Sequence, residues 1–267
     1  MPERIAVLGA GSWGLAVSGL LHRNGHAVTL WEFDPAEYRI LCEHRTHPKK
    51  LPDFRLHQGI VLTNNLEEAV AGARFIALAV PSQYLRPVLM RLDGRIDRSV
   101  GLVNLAKGIE TRTLRRMSEV IAECLPRPLE RVVTLSGPSH AEEVVRDMPT
   151  TVVVGGTDER FCTGVQEVFS GQTFRVYFCD DLVGVELGGS LKNIIAIAAG
   201  IVAGLGMGDN PLGALVTRGL AEITRLGVAM GANPLTFGGL SGVGDLVPTC
   251  VSRHSRHRYV GEEIGRG

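Results

Sequence analysis

Gly9, Gly11 and Gly14 spell GAGSWG directly after the apolar run RIAVL (4 to 8) and directly before LAVSGLLHRN, whose apolar residues have helical spacing. In that order of strand, GxGxxG and helix, the glycines permit a tight turn, close approach of backbone to a pyrophosphate, and close packing of helix on strand. Phosphates would rest on the helix N-terminus, where unpaired amides and the helix dipole favour anions. Glu32 ends the next apolar run, AVTLWE, 18 residues after Gly14. A carboxylate there accepts hydrogen bonds from ribose hydroxyls and repels a 2′-phosphate. Its neighbours Phe33 and Asp34 bring no cation to offset that repulsion, so NAD is expected in preference to NADP.

A second group of chemically capable residues is basic. Lys192 stands at the head of the apolar run from Ile194 to Met207. Spacing leaves two readings open: a lysine that snorkels to water along its own stem, or a desolvated amine whose lowered pKa lets it exchange a proton near neutrality. Asn193 beside it is placed to orient a substrate hydroxyl or carbonyl. Lys107, in NLAKGIE, follows a strand and so falls at the carboxyl edge of a sheet, where ligands of such folds bind. SGPSHAEE (136 to 143) ends the next strand, and its Gly137 and Ser139 allow close approach of a ligand. Asp245 is the carboxylate best suited to pair with a lysine. Ser255 suits a helix cap, and Arg256 can grip a phosphate or carboxylate as a fork. The histidine pairs His44/His47 and His254/His257 lack the cysteine or carboxylate pattern of a metal site. No metal is expected, and these histidines read as solvated residues of polar loops.

Positioning these residues requires a sheet. Strand-like runs recur at 27 to 32, 74 to 80, 99 to 106, 131 to 137, 150 to 156 and 173 to 178, with helical stretches between them. Almost continuously apolar strands alternating with helices imply a parallel sheet covered on both faces, a doubly wound α/β arrangement. After residue 180 the texture becomes helical throughout. The expected division is a dinucleotide-binding domain over 1–180 and an all-helical domain over 181–267. The run from Ile194 to Met207 is shorter than the ~20 residues of a spanning helix, so it reads as a buried core helix. Gly200, Gly204 and Gly208 then share a face suited to close approach of a neighbouring helix, in the same chain or in a second copy.

The 267 residues carry 28 basic and 28 acidic side chains, for a formal net charge of zero. No global field draws the chain to nucleic acid or to an anionic membrane, so any anion must be held locally. Five dispersed cysteines form neither a CxxC pair nor a disulfide framework, which suits reduced thiols in the cytoplasm. The opening MPERIAVLGAG leaves no room for a signal peptide ahead of the first strand.

Eight segments, GAGSWG, AVPS, AKGIE, SGPS with its following alanine Ala141, LKNIIAIAAGI, GLGMGDN, TRGLAE and SGVGDLVPTC, occur in this order along nearly the whole chain. Together they closely resemble the soluble bacterial glycerol-3-phosphate dehydrogenases that use NAD(P). The resemblance implies a Rossmann domain that binds the cofactor and a helical domain that completes the site. Dihydroxyacetone phosphate and sn-glycerol 3-phosphate interconvert there. It implies Lys192 as proton donor and acceptor, with Asn193, Lys107 and Asp245 in the same polar cluster. Ser255, Arg256 and His257 lie at the substrate phosphate. Gly9, Gly11, Ser12, Trp13, Gly14, Glu32, Phe33, Lys107, Ala141 and Arg256 match cofactor contacts, with NADP as a second cofactor. Gly137, Ser139, Lys107, Lys192 and Asp245 match substrate contacts.

Two departures accompany the resemblance. His257 stands where the family has asparagine, and family members continue for several helices beyond the position of Gly267. The rival readings are a related hydroxyacid or ketopantoate-type dehydrogenase and a noncatalytic dinucleotide sensor.

Overall fold

The computed structural model describes residues 1–125 and 128–267. In the first half, β1 (Arg4–Leu8), α1 (Ser12–Arg23), β2 (Ala27–Trp31), α2 (Pro35–His44), β3 (Val61–Thr63) and α3 (Leu66–Val70) lead to β4 (Phe75–Leu78). There follow α4 (Leu85–Leu92), β5 (Gly101–Asn104), α5 (Met117–Cys124), β6 (Val132–Ser136) and α6 (Ala141–Val144). The sheet is completed by β7 (Thr150–Gly155), α7 (Glu159–Phe169) and β8 (Phe174–Cys179). Four further helices follow: α8 (Leu182–Gly204), α9 (Asp209–Ala229), α10 (Val243–Val251) and α11 (Arg256–Arg266). The chain thus combines a Rossmann-type sheet with a helical domain.

The strands form one sheet of order β3-β2-β1-β4-β5-β6-β7-β8. The order in which successive strands are added reverses between β1 and β4, the position where open α/β sheets leave a ligand crevice. Successive residues feed opposite layers: Ile5 and Val7 join the core beneath α1 and α7, whereas Ala6 and Leu8 join the core with α3, α4 and α5. This is why the strands read as continuous apolar runs.

Two expectations about the sheet need correction. β3 is an additional edge strand, three residues long and too short for a periodic signal. The sheet is not wholly parallel, because β7 pairs antiparallel with β6, and β8 runs parallel to β7. The connection from β6 to β7 holds only the four-residue α6, about 6 Å of helix, too little to return the chain to the other edge for a parallel entry.

The run after Lys192 is only partly a core helix. Ala196, Ala199 and Gly200 are buried, but Ile194 is 65% exposed on the same helix. With 23 residues and a mean hydropathy of 1.5, α8 is long and apolar enough to cross a membrane by those criteria alone. Its Glu186 and Lys192 are nevertheless bonded to side chains of the same chain.

The glycine face of α8 meets α11. A Cβ on Gly200 would strike the backbone of Arg258, Gly261 and Glu262, and one on Gly261 would strike the carbonyl of Ile197. The two helices therefore touch through backbone, and this face is filled from within the chain. Gly208 lies outside α8, just before α9, with φ 87°. Replacing Gly200 by valine should lower unfolding free energy by about 3 kcal/mol, the upper range for overpacking a tight contact. A urea midpoint equal to that of the unchanged protein would show that α11 yields freely.

Candidate active site

The sheet's carboxyl edge gathers the first set of residues. Gly9 has φ 106°, and a Cβ there would sit 2.9 Å from the Ala79 carbonyl oxygen. A Cβ on Gly14 would overlap the Gly9 carbonyl, whereas one on Gly11 would meet nothing within 4 Å. The turn therefore needs glycine at 9 and 14 for its own shape, and at 11 it presents bare backbone to open space. Gly11 caps α1 without any side-chain acceptor for the first-turn amides. A dinucleotide pyrophosphate fits such a cradle.

Around the cradle, the Ser12 hydroxyl donates to the Lys50 carbonyl at 2.5 Å. The Trp13 ring lies 6.5 Å from Phe174, and Phe33 is largely exposed beside Trp31. Glu32 is buried, yet Lys50 Nζ lies 3.3 Å from its Oε2. The absence of a nearby cation expected from Phe33 and Asp34 is thus corrected by a loop residue distant in sequence. Asp34 instead caps α2, accepting from the amides of Ala36 and Glu37.

A second cluster joins the end of β5, the β6 loop, α8 and α10. Lys192 Nζ donates to Asp245 Oδ1 at 2.5 Å and to Thr249 Oγ1 at 2.7 Å. Lys107 Nζ donates to Asp245 Oδ2 at 2.7 Å and to the Gly137 carbonyl at 3.1 Å. One carboxylate thus bridges two ammonium groups. Ser139 donates to the same Gly137 carbonyl at 3.0 Å. Burial, reinforced by repulsion from Lys107 and opposed by Asp245, lowers the Lys192 pKa to about 8. The lysine does not snorkel; only 8% of its side chain is exposed.

Thr249 is a member of the cluster that sequence reading missed. Its signal was present, since it follows Asp245 by one helical turn in DLVPTC and its hydroxyl donates back to the Asp245 carbonyl at 2.6 Å. Asn193 is half-buried on α8, and its side chain makes no hydrogen bond among the described residues. Ala141 is buried at the start of α6. Ser255 caps α11, accepting from the Arg258 amide at 3.2 Å. Arg256 is exposed on the first turn of α11 and is not bonded to the lysine cluster.

The histidines divide. His257 is partly buried, and its pKa is lowered first by burial, then by Arg256 and Lys192. The His254 ring lies 5.9 Å from that of His140, whose pKa is also lowered, mainly by burial. His47 contradicts the reading of a solvated histidine. It is 2% exposed, its Nδ1 accepts from the amides of Lys49 and Lys50, and its Nε2 bonds Glu37. Folding of the 45 to 51 loop onto α2 buries it. Among the described residues no group of histidine, cysteine and carboxylate side chains could hold a metal ion.

A buried ion pair anchors the helix that carries Lys192. Glu186 accepts from Arg116 Nη1 at 2.6 Å, from the Ser118 hydroxyl at 2.7 Å and from the Ser118 amide at 2.8 Å. It also accepts from Thr134 on β6 at 3.3 Å. Desolvation nevertheless raises the Glu186 pKa. Three residues along α8, a Cβ on Gly189 would lie 2.6 Å from Ser136 Oγ, so helix and sheet end are in close contact. Ser136 Oγ is the one buried side-chain polar atom among the described residues without a hydrogen-bond partner.

Known proteins are similar to this chain in sequence and in fold. The family profile described as NAD-dependent glycerol-3-phosphate dehydrogenase N-terminus matches residues 4–162, and its C-terminus counterpart matches residues 181–267. A protein named glycerol-3-phosphate dehydrogenase [NAD(P)+] from Thermoanaerobacter sp. (strain X514) is 53% identical over 264 residues, covering 99% of this chain and 79% of its own length. A protein of the same name from Geobacillus thermodenitrificans is 51% identical, covering 99% of this chain and 78% of its own length. The crystal structure of glycerol-3-phosphate dehydrogenase from Coxiella burnetii superposes with a TM-score of 0.95 at 37% identity, over 100% of this chain and 81% of that one. The chain belongs to the NAD-dependent glycerol-3-phosphate dehydrogenase family.

Proposed function

We propose that the chain interconverts dihydroxyacetone phosphate and sn-glycerol 3-phosphate with NAD(P)(H), and that Lys192 moves the proton. The observation that carries the assignment is a buried lysine with its pKa lowered to about 8, held by Asp245 at the carboxyl edge of a dinucleotide-type sheet. When bound, the nicotinamide supplies or accepts the hydride. Gly9, Gly11, Ser12, Trp13 and Gly14 hold the dinucleotide, with Glu32 and Phe33 at the adenosine end and Ala141 and Lys107 nearer the reacting end.

In reduction, the Lys192 ammonium donates its proton to the ketone oxygen as negative charge develops there. In oxidation, the neutral amine accepts it. Asp245 and Thr249 fix the amine's position, and Lys107 keeps its pKa low. Gly137, Ser139 and Asn193 orient the substrate's polar groups. Arg256, His257 and the α11 N-terminus with its Ser255 cap receive the phosphate, an anion that a helix start and a guanidinium fork favour. Residues 1–180 serve as the dinucleotide-binding domain and 181–267 as the helical catalytic domain, in a cytoplasmic enzyme whose described cysteines are all free thiols.

The test is the initial rate of NADH absorbance loss with dihydroxyacetone phosphate. Turnover is expected with this ketose phosphate and not with unphosphorylated dihydroxyacetone. Equal rates with both compounds would sink the phosphate assignment, and NADH binding without any turnover would sink the reaction.

A further inference from the structure

The loop after α2 carries a feature that the reaction does not require. Lys50 Nζ lies between two carboxylates, 3.3 Å from Glu32 Oε2 and 2.9 Å from Glu37 Oε2. Its backbone carbonyl is the acceptor for Ser12 in the glycine turn, so the loop is registered against the pyrophosphate cradle. His47 holds the same loop from within by accepting the Lys49 and Lys50 amides and bonding Glu37. The ammonium is thus held beside the carboxylate that directly follows β2, where the adenosine ribose of a dinucleotide is read. Its side chain is 28% exposed, so it can swing without leaving a buried cavity.

We propose that Lys50 is the residue that admits the 2′-phosphate of NADP, and that Glu37 holds it in reserve when the cofactor is NAD. With NAD, Lys50 stays on its two carboxylates, and Glu32 accepts the ribose hydroxyls. With NADP, Lys50 turns from Glu37 onto the phosphate and screens it from Glu32. Glu37 then retains His47 as its partner. Lys50 and His47 are also the two groups that lower the Glu37 pKa, in that order. This inference rests on the dinucleotide site proposed above, but not on the identity of the ketone reduced there.

Two variants and two readouts test it. Lys50→Met keeps the aliphatic stem and the carbonyl that Ser12 uses, and should lower the NADPH-to-NADH ratio of kcat/KM at least tenfold. Glu37→Gln frees Lys50 and should raise that ratio several-fold. Calorimetric binding of 2′-phospho-ADP-ribose and of ADP-ribose should show the same opposite shifts in Kd ratio without any turnover. That arm stands even where dihydroxyacetone phosphate is not reduced, so failure of the reaction and failure of this inference are separable. A Kd ratio within twofold of the unchanged protein in Lys50→Met, or equal weakening of both ligands, would overturn it. Binding of neither ligand to the unchanged protein would overturn it together with the dinucleotide site.

Discussion

Replacing Lys192 by methionine should lower kcat about a thousandfold, equivalent to about 4 kcal/mol of barrier, while the Kd for NADH changes little. The sign of the pH dependence follows from the lysine's role. The ammonium is the donor in reduction, so kcat for reduction should fall about tenfold per pH unit above about 8, where the lowered pKa lies. The neutral amine is needed in oxidation, so that direction should rise through the same range and then level off. In the methionine variant both limbs should vanish from the residual activity. Asp245→Asn removes the charge that opposes the downward shift and should move the reduction limb to lower pH. A methionine variant within tenfold of the unchanged enzyme would end the assignment of Lys192.

The largest expected effect on stability lies at Arg116. Arg116→Met leaves the Glu186 carboxylate buried with only hydroxyl and amide donors, and breaking one side of a buried pair costs about 3–5 kcal/mol. The loss should depend on pH in a definite direction. Glu186 already has its pKa raised by burial, and removing the guanidinium raises it further. A carboxyl group whose folded pKa exceeds its unfolded value destabilises most when ionised. The deficit should therefore be larger at pH 8 than at pH 5, measured as the change in urea midpoint. A deficit that is the same at both pH values, or one under about 1 kcal/mol, would show that Glu186 is served by Ser118 and Thr134 alone. Because Glu186 lies two turns before Lys192 on α8, the variant should also lower kcat more than it raises KM.

What could be read in the sequence was what is local. The glycine turn is specified by six neighbouring residues, and strand, turn and helix follow one another at β1 and α1. The pairing of a lysine with Asp245 could be anticipated from charge, and the close contact on the Gly200 face from spacing alone. What could not be read depends on chain geometry at a distance. The sense of β7 is set by how little helix its connection contains, which no apolar pattern records. That Asp245 would serve Lys107 and Lys192 at once depends on contacts across 138 and 53 residues. Lys50 reaches Glu32 from a loop that Ser12 ties to the glycine turn and His47 ties to α2. His47 looks like a surface residue in HRTHPKK, and it is buried only once that loop closes over α2.

The reversal of β7 and β8 has a consequence for how the proton-transfer group is delivered. Two strands running against the rest mean that β8 ends pointing toward the amino ends of the other strands. A helix beginning below that end runs back up toward their carboxyl ends. The contacts of α8 trace that ascent: Val185 lies against Gly155 at the foot of β7, Gly189 against Ser136 at the top of β6, and Lys192 beside Lys107 above the rim. At 1.5 Å per residue, the climb from Val185 to Lys192 is about 10 Å. Had the last strand pointed upward, the same helix would have started at the rim and carried its amine away from the cleft. The pair of inverted strands acts as a stairwell, and without it the amine would be on the wrong floor.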